Sequence, residues 1–214
     1  MIKACIFDLD GVIIDTAKYH YLAWKRLAAE FGEDLTLEEN EKLKGVSRMQ
    51  SLDIILALAK LQKTEAEREA LATKKNEWFV EYISRITPDE MYPGVRDLLH
   101  AIRRLNIGIA LASSSKNAAM VIRLLDIAAE FDAVIDGTMI TQTKPDPEIF
   151  LKAAAKLGVQ PSDALVFEDA EAGVEAACRA GMKCVGIGSP ALLHKANIVI
   201  TNTADFDLKN LNTL

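Results

Sequence analysis

Near its start the chain runs Ala4-Cys5-Ile6-Phe7 and then breaks that apolar run with Asp8-Leu9-Asp10-Gly11. So short an apolar stretch reads as a buried strand of a parallel sheet rather than a helix. Residues i and i+2 of a strand lean to the same face, so Asp8 and Asp10 point the same way where the strand ends. Gly11 permits a sharp exit. Two acids then stand at the carboxyl edge of a sheet, where open α/β folds bind ligands. Like charges this close are costly without a cation. Only three His and three Cys occur, with no ligand spacing, so a hard oxygen-preferring ion such as Mg2+ is the expected partner.

Past that strand the period becomes helical. Residues 17–31 place Tyr21, Trp24, Leu27, Ala28 and Phe31 on one stripe, with Thr16 as the expected N-cap and Gly32 as the expected C-cap. Helices over 37–43 and 48–61 follow. A fourth, over 64–86, opens on Thr64-Glu65-Ala66-Glu67 with capping-box spacing and stops before Pro88. Beyond it strands and helices alternate: helix 94–105, strand 107–112, helix 117–125, strand 133–135, helix 147–157, strand 164–167, helix 172–180, and strands 184–187 and 198–200. Alternation of this kind predicts a parallel sheet with right-handed crossovers. The expected fold class is therefore α/β, a Rossmann-like parallel-sheet core (1–15 and 89–214) interrupted by a helical-bundle cap (16–88). A cap of this kind, over the strand ends, suits a lid.

At 214 residues, half of them hydrophobic, the chain can bury a sizeable core. A net charge of −6 gives no basic footprint for nucleic acid. No stretch has the length and apolarity of a membrane span, and no apolar leader precedes the first strand. Cys5, Cys178 and Cys184 read as reduced thiols. A cytoplasmic, monomeric enzyme acting on a small molecule is the expectation.

Asp8-Leu9-Asp10-Gly11-Val12-Ile13-Ile14-Asp15-Thr16 resembles the first signature of the haloacid dehalogenase-like phosphotransferases. The resemblance implies that Asp8 is the nucleophile that becomes an aspartyl phosphate and that Asp10 is the general acid and base. Three further strand ends match in order. Ile107–Ala112 runs into Ser113-Ser114-Ser115-Lys116-Asn117, small hydroxyls and N–H groups at a helix start that suit an anion; Ser113 takes the family's phosphoryl-binding position. Lys144, before Pro145, is a compact cation in the family's third position. Leu165-Val166-Phe167-Glu168-Asp169 again ends an apolar strand in paired acids, and with Asp8 and Asp10 these form an expected oxygen cage for Mg2+. Ala170 stands where the family often has Ser, which removes a hydrogen bond from around the metal.

The insert bears on the acceptor. Tyr19-His20 and Trp24, then Leu43-Lys44-Gly45-Val46-Ser47-Arg48, and Lys74-Lys75-Asn76 are similar to the cap of sugar-phosphate mutases in this family. An enzyme that works through a bisphosphate must hold two phosphates at once. One would sit at Asp8, Mg2+, Ser113 and Lys144. Arg48, with its planar fork, suits the other, assisted by Ser115, Lys116 and Asn117. The substrate-binding set expected is His20, Trp24, Lys44, Gly45, Val46, Ser47, Arg48, Ser51, Lys75, Ser114, Ser115, Lys116 and Asn117. For His20 a structural role on the first cap helix stands beside a substrate contact. The implied reaction interconverts glucose 1-phosphate and glucose 6-phosphate through the bisphosphate. A Mg2+-dependent sugar-phosphate or nucleotide phosphatase is the alternative in the same family, and a non-catalytic binding module that keeps the fold is the alternative outside enzymes.

Overall fold

The computed structural model describes residues 1–43 and 46–214; Lys44 and Gly45, both expected to bind substrate, lie outside the described residues. Among the described residues, six strands form one all-parallel sheet: β1 (Ala4–Phe7), β2 (Gly108–Ala112), β3 (Ala133–Ile135), β4 (Ala164–Glu168), β5 (Lys183–Ile187) and β6 (Ile198–Ile200). Their order is β3-β2-β1-β4-β5-β6. The helices are α1 (Ala17–Glu30), α2 (Leu37–Glu41), α3 (Arg48–Leu58), α4 (Glu65–Ile83), α5 (Val95–Arg104), α6 (Ala118–Leu124), α7 (Glu148–Leu157), α8 (Glu171–Arg179) and a short α9 (Asn210–Thr213). This is a Rossmann-like α/β fold.

Both faces of β1 and β4 are buried, which explains their unbroken apolar runs. Ile6 and Val166 pack with Phe150 of α7 and Val174 of α8. The intervening residues face the other way: Phe7 stacks on its register partner Phe167 at 4.4 Å and 7°, and Phe206 meets Phe167 edge-on at 4.9 Å. β2 and β4 flank β1 on opposite sides, so the sheet reverses its order of growth between β1 and β4. That is the switch point at which open α/β sheets form a crevice.

Contacts divide the chain into two compact units, Met1–Asp15 with Thr87–Leu214, and Thr16–Ile86. The second crossing lies at 86/87 rather than 88/89. α4 ends at Ile83 and the chain has already turned by Ile86, whose N–H reaches Ile83 O at 2.9 Å. Trp24, Leu27, Leu52, Ile55 and Ala72 form the apolar centre of the helical unit.

Two of the expected caps differ. Thr16 precedes α1 but makes no side-chain cap bond, because its backbone is helical (φ −93°, ψ −6°) rather than extended. Gly32 (φ +82°) lies one residue beyond the C-cap, Phe31. Thr64 does cap α4, in the reciprocal arrangement with Glu67. Among the described residues, no helix is long and apolar enough to cross a membrane.

Candidate active site

β1 and β4 end side by side. The register Phe7↔Phe167 brings Asp8 and Glu168 next to each other, and the Asp8 N–H donates to Phe167 O at 3.0 Å. Between the two carboxylates lies Lys144, from the loop after β3. Its Nζ is 2.5 Å from Asp8 Oδ1 and 2.5 Å from Glu168 Oε1, and 3.4 Å from Ala112 O at the end of β2. The ammonium sits 4.8 Å above the Phe150 ring. All three side chains are buried, at 3%, 9% and 1% exposure for Lys144, Asp8 and Glu168. Burial opposes the Lys144 charge, but the two carboxylates outweigh it and hold the ammonium above its ordinary pKa.

Backbone geometry fixes the acids. The Asp10 N–H donates to Asp8 Oδ2 at 2.9 Å, and the Ala170 N–H to Glu168 Oε2 at 2.8 Å. Gly11 has φ +77°, and a Cβ there would lie 1.9 Å from Asp169 Oδ2. Glycine thus lets the exit of β1 pass directly against the second acid of β4. Ser113, buried at the end of β2, accepts the Ser115 N–H on its Oγ at 3.2 Å, and Ser115 Oγ accepts the Asn117 N–H at 3.3 Å. The Ser114 Oγ is buried without a hydrogen-bond partner. Lys116 is exposed.

Negative charge is in excess here. Burial, reinforced by the Asp8 charge, pushes Asp10 up to about 8. Burial, then the charges of Glu168, Asp8 and Asp10, push Asp169 up to about 8. Burial raises Glu168 as well. Asp10 Oδ1 is buried with no hydrogen-bond partner. Four carboxyl groups against one ammonium, with an orphan oxygen among them, fit a hard divalent cation by donor type and charge. Both oxygens of Glu168 are engaged, one by Lys144 and one by the Ala170 N–H, as are both of Asp8, by Lys144 and the Asp10 N–H, and each of these oxygens keeps a further lone pair for a cation. Among the described residues, no three His, Cys, Asp or Glu side chains converge as a ready-made metal site. Asp8, Asp10, Glu168 and Asp169 are the acids available to a cation.

The helical unit carries a second polar cluster. His20 stacks on Phe79 at 3.9 Å, and its Nδ1 lies 2.8 Å from Lys75 Nζ. An ammonium only donates, so Nδ1 accepts and the ring proton is on Nε2. Burial first, then the charges of Lys75 and Arg48, hold His20 well below its ordinary pKa, so the ring is neutral. Lys75 Nζ is 4.5 Å from the Trp24 ring and 4.9 Å from that of Phe79. Arg48, the first residue of α3, donates from Nη2 to Asn76 Oδ1 at 2.8 Å. Other expected contact residues serve the unit itself. Ser47 spends its N–H and Oγ on a capping box with Gln50, and Trp24 and Ser51 are buried against the helices. Val46 is half-buried. Sequence reasoning missed Phe79, although it lies four residues from Lys75 on one helix face. It also missed Asp136, a buried acid that ends β3 and accepts the Thr138 N–H at 2.8 Å.

A family model described as haloacid dehalogenase-like hydrolase matches residues 2–181. A β-phosphoglucomutase from Bacillus subtilis is 45% identical over 212 residues, spanning 98% of this chain and 94% of that protein. A phosphorylated carbohydrates phosphatase from Thermotoga maritima is 33% identical over 184 residues, 85% of this chain and 82% of that protein. The crystal structure of a β-phosphoglucomutase from Clostridium difficile superposes with a TM-score of 0.95 at 43% identity, covering 100% of this chain and 96% of that one.

Proposed function

The chain belongs to the haloacid dehalogenase-like hydrolases, and on that premise we propose that it acts as a β-phosphoglucomutase, interconverting β-D-glucose 1-phosphate and glucose 6-phosphate through β-glucose 1,6-bisphosphate. The observation that carries this reading over a phosphatase is the presence of two cationic sets in a chain so similar to β-phosphoglucomutases. One is Lys144 with Ser113 beside Asp8; the other is Arg48, with Lys75, in the helical unit. A phosphatase, whose acceptor is water, needs only the first.

In the proposed mechanism an Asp8 carboxylate oxygen attacks one phosphorus of the bisphosphate in line, and the bond from that phosphorus to the sugar oxygen breaks, leaving phosphorylated Asp8 and a sugar monophosphate. The leaving oxygen takes a proton from Asp10, whose carboxyl is held above the ordinary carboxylate range by burial and the Asp8 charge. Glucose 1-phosphate then presents its free hydroxyl, Asp10 removes that proton, and the hydroxyl oxygen takes the phosphoryl group from Asp8, which forms the bisphosphate again. Lys144 neutralises the phosphoryl oxygens, and the Ser113 hydroxyl donates to them. Arg48 would hold the phosphate that is not being transferred. Asp8, Asp10, Glu168 and Asp169 would hold Mg2+, which would supply a second positive charge at the transferring group.

The test is to supply β-glucose 1-phosphate with and without trace bisphosphate and to follow glucose 6-phosphate and free phosphate separately. Glucose 6-phosphate formed in excess, and accelerated by bisphosphate, is the expected result. Free phosphate as the main product would reject the mutase in favour of the phosphatase.

A further inference from the structure

Arg48 is held in an unusual way for a half-buried cation. Its guanidinium donates to the amide oxygen of Asn76, which lies 28 residues away on α4. Elsewhere in the same unit the Arg68 guanidinium pairs with two carboxylates, Asp53 and Glu65, at 2.6 Å each. An amide oxygen and a carboxylate oxygen aim an N–H equally well. They differ in charge. A carboxylate matches the guanidinium fork, neutralises it and competes with any incoming phosphate. An amide leaves the positive charge whole. The base of the side chain is already fixed, because the Ser47–Gln50 capping box sets the first turn of α3. What Asn76 adds is the direction of the far end.

We propose that Asn76 is the positioning residue for Arg48: a neutral acceptor that orients the guanidinium toward the remote phosphate of the sugar bisphosphate without taking its charge. This rests on the phosphomutase reading and goes beyond it by separating aim from affinity. Burial alone depresses the Arg48 pKa, so the site already strains against the bare cation and gains most from an anion that arrives with substrate. Consecutive residues of α4 then serve two cations. Lys75 contributes its own charge against His20 and the Trp24 and Phe79 rings, and Asn76 directs the charge of Arg48.

The experiment compares full-length Asn76→Ala, Asn76→Asp and Arg48→Ala with the unaltered protein, on β-glucose 1-phosphate with trace bisphosphate, alongside thermal melts. Asn76→Ala should raise KM by roughly 5–20-fold with a smaller change in kcat, as a misaimed ligand group does. Asn76→Asp should raise KM further, by about 100-fold, while melting at or above the temperature of Asn76→Ala, because its carboxylate pairs Arg48 more tightly. Stability and affinity thus move in opposite directions, which a merely structural contact would not produce. If Asn76→Asp restores KM relative to Asn76→Ala, or if Asn76→Ala keeps the KM of the unaltered protein while Arg48→Ala loses it, the role of Asn76 is overturned and the mutase reading stands. If Arg48→Ala behaves normally, the role of Asn76 is again overturned; if the unaltered protein makes no glucose 6-phosphate, both are overturned.

Discussion

A Cβ placed on Gly173 would lie 1.8 Å from Oε1 of Glu168. The glycine is in the first turn of α8, and the carboxylate it makes room for is the one that shares Lys144 with Asp8. Glu168 is 1% exposed and held at both oxygens, so it has nowhere to swing. Gly173→Ala should therefore break the Lys144–Glu168 pair and cost on the order of 3–5 kcal/mol, the usual penalty for a buried charge deprived of its partner. A denaturant titration measures it, and a midpoint like that of the unaltered protein would contradict the close approach.

Asp8→Asn should abolish turnover while the protein still folds. The amide is nearly isosteric but a poor nucleophile, and Lys144 keeps Glu168 as its counter-ion. Mass spectrometry of the protein after brief exposure to the bisphosphate should find a phosphorylated species in the unaltered chain and none in the variant. Normal activity in Asp8→Asn would end the aspartyl-phosphate mechanism.

Asp10→Asn removes the proton carrier. The expected loss in kcat is ~100-fold to 10,000-fold. Folding should survive, since Asp10 Oδ1 has no protein partner to lose. Full activity on sugar phosphates would show that the proton moves by another route.

Stability without metal should depend on pH in a defined direction. Asp10 and Asp169 rise from an ordinary 3.8 to about 8 in the folded protein. Between those values the folded state binds more protons than the unfolded one, so stability falls as pH rises, through to about 8. Melting in the presence of a chelator should thus drop from pH 5 to pH 8. Added Mg2+ should flatten the slope, because a cation that binds the ionised carboxylates stabilises the folded state most where they are charged. Parallel curves with and without Mg2+ would mean that these acids do not meet the ion.

Arg48→Ala separates the two phosphates. If the guanidinium grips the remote phosphate away from water, its loss should cost on the order of 2–5 kcal/mol of that interaction, and mutase turnover should fall by orders of magnitude. Hydrolysis of acetyl phosphate, which has no remote phosphate, should change far less. Equal losses in both reactions would assign Arg48 to folding instead.

Much of this was legible along the chain, for reasons that can be named. β1 and β4 are buried on both faces, so their apolar runs had to be continuous and were easy to see. Asp8, Asp10, Glu168 and Asp169 stand out because carboxylates at the ends of such runs demand compensation. Thr64 with Glu67 declares a helix start through purely local bonds. Thr16 misled because a cap depends on backbone angles, and a residue type does not fix them.

Local sequence determined where strands and helices lie, which strand ends carry acid, and that a helical segment interrupts the sheet: each of these follows from periodicity and burial within a few residues. Tertiary structure alone decided how charges pair. Lys144 meets Asp8 across 136 residues and Glu168 across 24, and the choice of Glu168 as its counter-ion was made by the adjacency of β1 and β4. Arg48 finds Asn76 across 28 residues because α3 packs on α4. Electrostatic partners are set by distances of a few ångströms in the folded chain, and one-dimensional spacing carries no information about which distant side chain will arrive there first.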